Sequence, residues 1–300
     1  MKKIEANRYP HSATLFKFCK EALEIRYEGN VKVIDQDVGA ILGYDPADCS
    51  HWKKGKKNIR ALSTLRTIAD HLNVDERLLI DIAAGRVDLD EAVFEFKGYG
   101  DTNLLGRHLE SLKKEYFKNP TRWQGEAPKA SFDELFSIDR KSVAMMIDSI
   151  LSTGGFTEAP VYLPEVVKLY SGIQLIADET IAGSIETSTQ GQGAELVTII
   201  RTKSTEVRPY LRYLVAKEIF KHLVRSQAPV AARFHNLPDE VLDIQSNVFA
   251  GMLLIPARLL RSEVERIDSA MDIVTQLADT FWVSKPLMNQ RLRDYMENLV

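Results

Sequence analysis

Apolar residues recur at helical spacing along most of this chain, and one strand-like block interrupts them. Residues 15–26, 38–42, 62–72 and 78–83 each carry the three-to-four-residue repeat of a helix with one buried face. Turn signals divide them at Glu28-Gly29-Asn30, Gly43-Tyr44-Asp45-Pro46, Gly55 and Gly85. The first part therefore reads as short helices with tight connections. Gly98, Gly100, Gly106, Pro120, Gly125 and Pro128 mark residues 97–140 as connecting structure, with a helix at 104–117 inside it. Beyond it come helices at 143–151 and 163–170. Strands follow at 173–176, 182–186 and 195–201, with Val197-Thr198-Ile199-Ile200 the clearest. Helices return at 210–225, 239–254, 256–266 and 271–281. A helix, small-sheet, helix order is that of an α+β domain.

The length, 300 residues, suits two domains. Hydrophobic residues at 45% and charged residues at 27% exclude a wholly disordered chain. The longest apolar run, 248–260, is interrupted by Pro256 and Arg258 and falls short of the roughly 20 residues a membrane span needs. Met1-Lys2-Lys3-Ile4-Glu5 leads into no apolar stretch of secretory type. Only Cys19 and Cys49 occur, too few for a disulfide scaffold or a cysteine-rich zinc site. A cytoplasmic protein is expected. The net charge of −3 does not by itself favour nucleic acid, so the distribution of charge decides.

That distribution is uneven. Val38, Gly39 and Leu42-Gly43 read as a helix and its close, and Gly43 suits a turn that needs positive φ. Asp45 is placed as the N-cap of a second helix, with Pro46 at its first position. Cys49 and Trp52, three apart, face the core. Pro46, Ala47, Asp48, Ser50 and His51 face outward. From Ser50 to Ala69 there is no acidic residue, whereas Lys53, Lys54, Lys56, Lys57, Arg60 and Arg66 are basic. A helix laid in a major groove would meet phosphates there.

These residues resemble the Cro/cI-type (XRE-type) helix-turn-helix. The resemblance runs from Asp35 through Gly43, Trp52-Lys53-Lys54-Gly55-Lys56 and Ile68-Ala69-Asp70-His71-Leu72-Asn73-Val74, over 50–70 residues. It implies base-edge contacts from Ala47, Asp48, Ser50 and His51, and mostly phosphate contacts from Lys53, Lys54, Lys56, Lys57 and Arg60. Asp48 departs from the pattern. A carboxylate near phosphate repels, although it accepts from a cytosine amino group. The plainer reading of the basic run is a solvated face.

A second resemblance lies further on. Arg212-Tyr213-Leu214-Val215-Ala216-Lys217-Glu218-Ile219-Phe220-Lys221 resembles the ImmA/IrrE-like metallopeptidase helix, "Arg-Phe-Thr-Leu-Ala-His-Glu-Leu-Gly-His". Arg212, Tyr213, Ala216 and Glu218 match, and Lys217 and Lys221 replace both zinc histidines. The family's "Glu-Ala-x-x-Phe-Ala-x-x-Leu-Leu-x-Pro" appears as residues 245–256, with Gln245 at the third ligand. Pro160-Val161-Tyr162-Leu163 and Phe281-Trp282-Val283-Ser284 with Arg291-Leu292 extend the likeness over roughly 140–297. An ammonium of ordinary pKa, about 10.4, offers a metal no lone pair at neutral pH. Without a metal-bound water Glu218 has nothing to deprotonate. His222, one residue past a ligand position, points about 100° away on the helix, and His235 is the other histidine nearby.

The expected fold is mainly α: an N-terminal all-α helix-turn-helix bundle (1–96), a connecting segment (97–140), and a C-terminal α+β zincin-like domain with a small sheet (141–300). The expected function is a sequence-specific, DNA-binding transcriptional regulator. Its C-terminal domain is expected to be a pseudo-metallopeptidase without cofactor, metal or catalytic residues, serving sensing, dimerisation or partner binding. Expected partners are double-stranded DNA, a second copy of the chain, and a small-molecule or protein effector, with no membrane. The alternatives are a peptidase with unusual ligands that cleaves a partner repressor, and an antitoxin or defence-system interaction protein. At the degenerate positions Lys217, Glu218, Lys221 and Gln245 two readings stay open. One is a salt-bridged helix face. The other is a polar pocket whose lysines, faced by Gln245, hold an anion, with Asp239, Glu240 or Asp243 as possible counterions.

Overall fold

The computed structural model describes residues 8–27, 32–97, 102–118, 136–181, 183–203, 208–235, 237–267 and 272–297. The expected turn at residues 28–30, most of the Gly- and Pro-containing stretch before residue 136, Ala182 and Met271 lie outside them. The chain divides into two compact units, Met1–Lys97 and Gly98–Val300. Among the described residues no helix is long and apolar enough to cross a membrane.

The first unit is all helical. It comprises α1 (Pro10–Arg26), α2 (Asp35–Ala40), α3 (Pro46–Lys53), α4 (Leu62–Leu72), α5 (Glu76–Ala84) and α6 (Leu89–Lys97). The i, i+3/i+4 positions Leu15, Phe18, Cys19, Ala22 and Leu23 of α1 are all buried, which makes α1 the spine of the core. Trp52 of α3 is fully buried against it. Its ring meets Phe16 edge-on at 5.2 Å, and its indole N–H donates to the Ser12 carbonyl at 2.8 Å. The Ser12 hydroxyl accepts from the Ile59 N–H at 2.9 Å, so one turn of α1 anchors both ends of the basic segment. Helix α6 was not expected. Asp88 accepts from the Glu91 N–H at 2.9 Å, and Ala92, Val93 and Phe94 are buried; this N-cap and apolar face were present in the sequence.

The second unit is α+β. Helices α7 (Thr102–Lys118), α8 (Arg140–Gly154) and α9 (Leu163–Lys168) precede strands β1 (Ile173–Ala177), β2 (Ile185–Gln190) and β3 (Val197–Thr202). Then come α10 (Pro209–Arg225), α11 (Asp239–Leu254), α12 (Ala257–Val264), α13 (Ile273–Phe281) and α14 (Lys285–Glu297). The sheet order is β1-β3-β2, with β1 parallel and β2 antiparallel to β3. The second strand lies three to four residues beyond its expected place. Thr187-Ser188-Thr189-Gln190 reads as loop by composition, yet it pairs with β3 in the register Thr187↔Ile200. Glu195 belongs to a 3-10 turn rather than to β3.

Helices α10 and α11 pack side by side. The Tyr213 hydroxyl donates to the Asn247 side-chain oxygen at 3.1 Å, and Phe220 lies on Phe249 at 5.1 Å. Arg212 is a buried strut, donating to the Val161 carbonyl at 3.1 Å and the Phe281 carbonyl at 3.4 Å. Arg291 of α14 pairs with the buried Asp294 at 3.3 Å and donates to the Ile255 carbonyl, also at 3.3 Å. The motif residues Arg212 and Arg291 thus tie together segments far apart in sequence.

Candidate functional site

In the first unit, α2, a turn and α3 approach closely. A Cβ on Gly39 would lie 3.0 Å from the Cys49 Cβ, so glycine lets the two helices meet. Gly43 takes φ +64 in the turn, a conformation that costs glycine least. The Asp45 side chain accepts from the Asp48 N–H at 2.8 Å and caps α3. Ala47 and His51 are exposed on α3, whereas Asp48 and Ser50 are half-buried.

Lys53 and Lys57 lie beside carboxylates. Lys53 lies 2.6 Å from the Asp35 carboxylate, which Lys20 also approaches at 3.2 Å. The hydrogen bond from Lys53, with help from Lys20, holds Asp35 below its ordinary range against the opposing effect of burial. Lys57 lies 3.0 Å from Asp48 and 3.7 Å from the centre of the Tyr44 ring. The Asp48 carboxylate, expected to repel phosphate, therefore has a cation beside it. Lys54, Lys56 and Arg60 are exposed.

In the second unit the degenerate lysines meet one of the three counterions considered for them, Asp243. Lys217 and Lys221, one turn apart on α10, both reach Asp243 of α11, at 3.2 and 3.0 Å. Lys221 also pairs with Glu218 at 3.1 Å. Burial pulls the Lys217 ammonium below its ordinary pKa, and Asp243 opposes that pull. For Lys221 the carboxylates of Glu218 and Asp243 outweigh burial and raise it. Asp243 is lowered, because Lys217 and Lys221 together outweigh its burial. Two cations and two anions neutralise one another, so the cluster needs no bound anion.

Gln245 is not opposite the lysines. It is buried, and its amide donates to the Ser137 carbonyl at 2.7 Å. It lies two positions after Asp243, about 200° round the helix, so only one of the two can face α10 at this level. Of the other counterions considered, Asp239 pairs with Arg225 at 3.1 Å and Glu240 accepts from the Tyr116 hydroxyl at 3.2 Å. The signal that singles out Asp243 among the three is its place four residues before Asn247, on the face of α11 that packs against Tyr213.

The donor set does not fit a zinc ion. Ammonium groups bound to a carboxylate stand where imidazoles would be needed. Neither nearby histidine substitutes. The ring of His222 turns to the Thr198 hydroxyl at 2.9 Å, and that of His235 lies 3.2 Å from the Ala228 carbonyl. Among the described residues no three His, Cys, Asp or Glu side chains are grouped to hold a metal.

Residues 212–293, from α10 into α14, match the family model of the IrrE N-terminal-like domain (Peptidase_M78). No curated protein and no solved structure matches the chain.

Proposed function

We propose that this chain is a cytoplasmic, sequence-specific DNA-binding transcriptional regulator whose peptidase-like unit is catalytically inactive. Residues 1–96 bind an operator, 97–140 connect, and 141–300 serve sensing, dimerisation or partner binding. Support for the DNA half is the capped helix α3, which leaves Ala47 and His51 exposed beside Lys54, Lys56 and Arg60. The observation that carries the inactive half is Asp243, which closes both lysines into an ion cluster at the positions of the two lost histidines. Glu218 belongs to that cluster instead of standing beside a metal-bound water.

Two measurements on the purified chain test this. Selection from a random-sequence duplex pool is expected to enrich a defined motif, and metal analysis to find far less than one zinc per chain. An unenriched pool would remove the DNA reading. Stoichiometric zinc, with peptide cleavage abolished by Glu218→Gln, would establish the peptidase instead.

A further inference from the structure

Lys57 was expected at a phosphate, but its ammonium is already engaged. It lies 3.0 Å from Oδ2 of Asp48 and 3.7 Å from the centre of the Tyr44 ring, and the side chain is half-buried. The Tyr44 ring in turn meets the fully buried Trp52 edge-on at 6.0 Å. The ammonium thus sits between the turn before α3 and the first turn of α3 itself. Lys54 and Arg60, by contrast, are exposed.

Asp48 keeps one oxygen open. Its N–H donates to the Asp45 side chain, and its Oδ2 faces Lys57. Among the described residues no hydrogen bond or ion pair goes to Oδ1, and the side chain is 46% exposed. Asp48 adjoins Ala47 and stands three residues before His51, the two exposed residues of α3. It therefore borders the face that α3 offers to a groove.

An ionised carboxylate accepts hydrogen bonds and donates none. The donors in a major groove are the amino groups of cytosine and adenine. Adenine sets its N7 acceptor beside the amino group, and a carboxylate is repelled by that lone pair. Cytosine offers the donor alone. A bare carboxylate among phosphates would be repelled whatever the base, and an ammonium 3.0 Å away offsets its charge.

We propose that Asp48 reads a cytosine amino group in the operator and that Lys57 is its positioning residue. Lys57 holds the carboxylate in place and cancels its charge, and it does not contact a phosphate. This rests on the reading of α3 as the helix that enters a major groove, and it gives that helix a base to select.

The test uses the full chain and the duplex motif selected from the random-sequence pool, with each base pair placed in turn at each position. Affinities are read by fluorescence anisotropy. The unaltered chain is expected to favour cytosine over thymine at one position by about tenfold. Asp48→Ala should bring that ratio close to one and leave the ratios at other positions as they were. Asp48→Asn should move the preference to adenine, whose N6 and N7 match an amide. Lys57→Met should lower the cytosine ratio about threefold or more, and should change no ratio once Asp48 is Ala, because the two act as a unit. Lys57→Arg, which pairs with a carboxylate and lies on an aromatic face, should keep the preference. Should Asp48→Ala fail to fold, Asp48→Asn decides. Unchanged ratios in the Asp48 variants would overturn the proposal. So would a Lys57→Met variant that binds every duplex more weakly by the same factor, the mark of a phosphate contact. A pool without an enriched motif would remove the DNA reading itself, and this proposal with it.

Discussion

At the residue scale the polar groups that matter are those in the core. His222 sits under the sheet with its ring on the Thr198 hydroxyl, and burial lowers its pKa below the ordinary value of 6.5. Between the ordinary and the lowered value the unfolded chain holds the proton and the folded chain does not. Stability from this residue is therefore complete above about pH 6.5 and is lost as pH falls below it. His222→Asn keeps a bond to Thr198 without titrating. Urea unfolding from pH 7 to 5 should show a shallower loss for the variant, the difference in slope approaching at most about 1.4 kcal/mol per pH unit. Identical slopes would mean that His222 titrates alike in both states. Trp282 shows a different compromise. It ends α13 at φ 53, a region that bulky side chains avoid at about 1–2 kcal/mol, and its ring faces the Arg212 guanidinium at 5.6 Å.

At the scale of elements, the pairing of α10 with α11 decides what the degenerate centre can become. Asp243 already faces the two lysines, so the double variant Lys217→His, Lys221→His should bind one zinc per chain with Gln245 left as it is. Metal analysis after dialysis checks this. No uptake by a folded double variant would show that the carboxylate is held in the wrong place. The helix α3 and its basic flank make a second prediction. Lys54 and Arg60 are exposed, and Lys53 and Lys57 lie beside Asp35 and Asp48. Lys54→Ala with Arg60→Ala should weaken binding to every duplex and lower the salt slope by up to about 2, measured by anisotropy across a salt series. An unchanged slope would place the phosphates elsewhere. Most helices were legible because a helix with one wet face writes its period into the sequence. Strand β2 was expected three to four residues too early, because Thr187 to Gln190 are polar and are held by pairing with β3 rather than by a buried stripe of their own. Lys217, Glu218 and Lys221 were legible from the motif, and Asp243 was one of three counterions considered, but the choice among the three was not legible. It depends on how two helices are rotated against each other, which no local spacing states.

For the whole molecule, each unit has its own buried core, and the regulator reading requires them to act together on DNA. In that reading one helix such as α3 would read a short half-site, so specific affinity would call for two copies. Exposed Ile273, Trp282 and Met296 make the α13–α14 region a candidate surface for that pairing. Light scattering should give twice the chain mass in the DNA complex, and a monomer both alone and on its DNA would oppose it. The central claim, that this chain is a sequence-specific DNA-binding regulator, is tested most directly by mapping the sites it occupies across a genome. The account predicts discrete sites that share a motif of two half-sites about 34 Å apart. A profile no different from that of a control protein would contradict it.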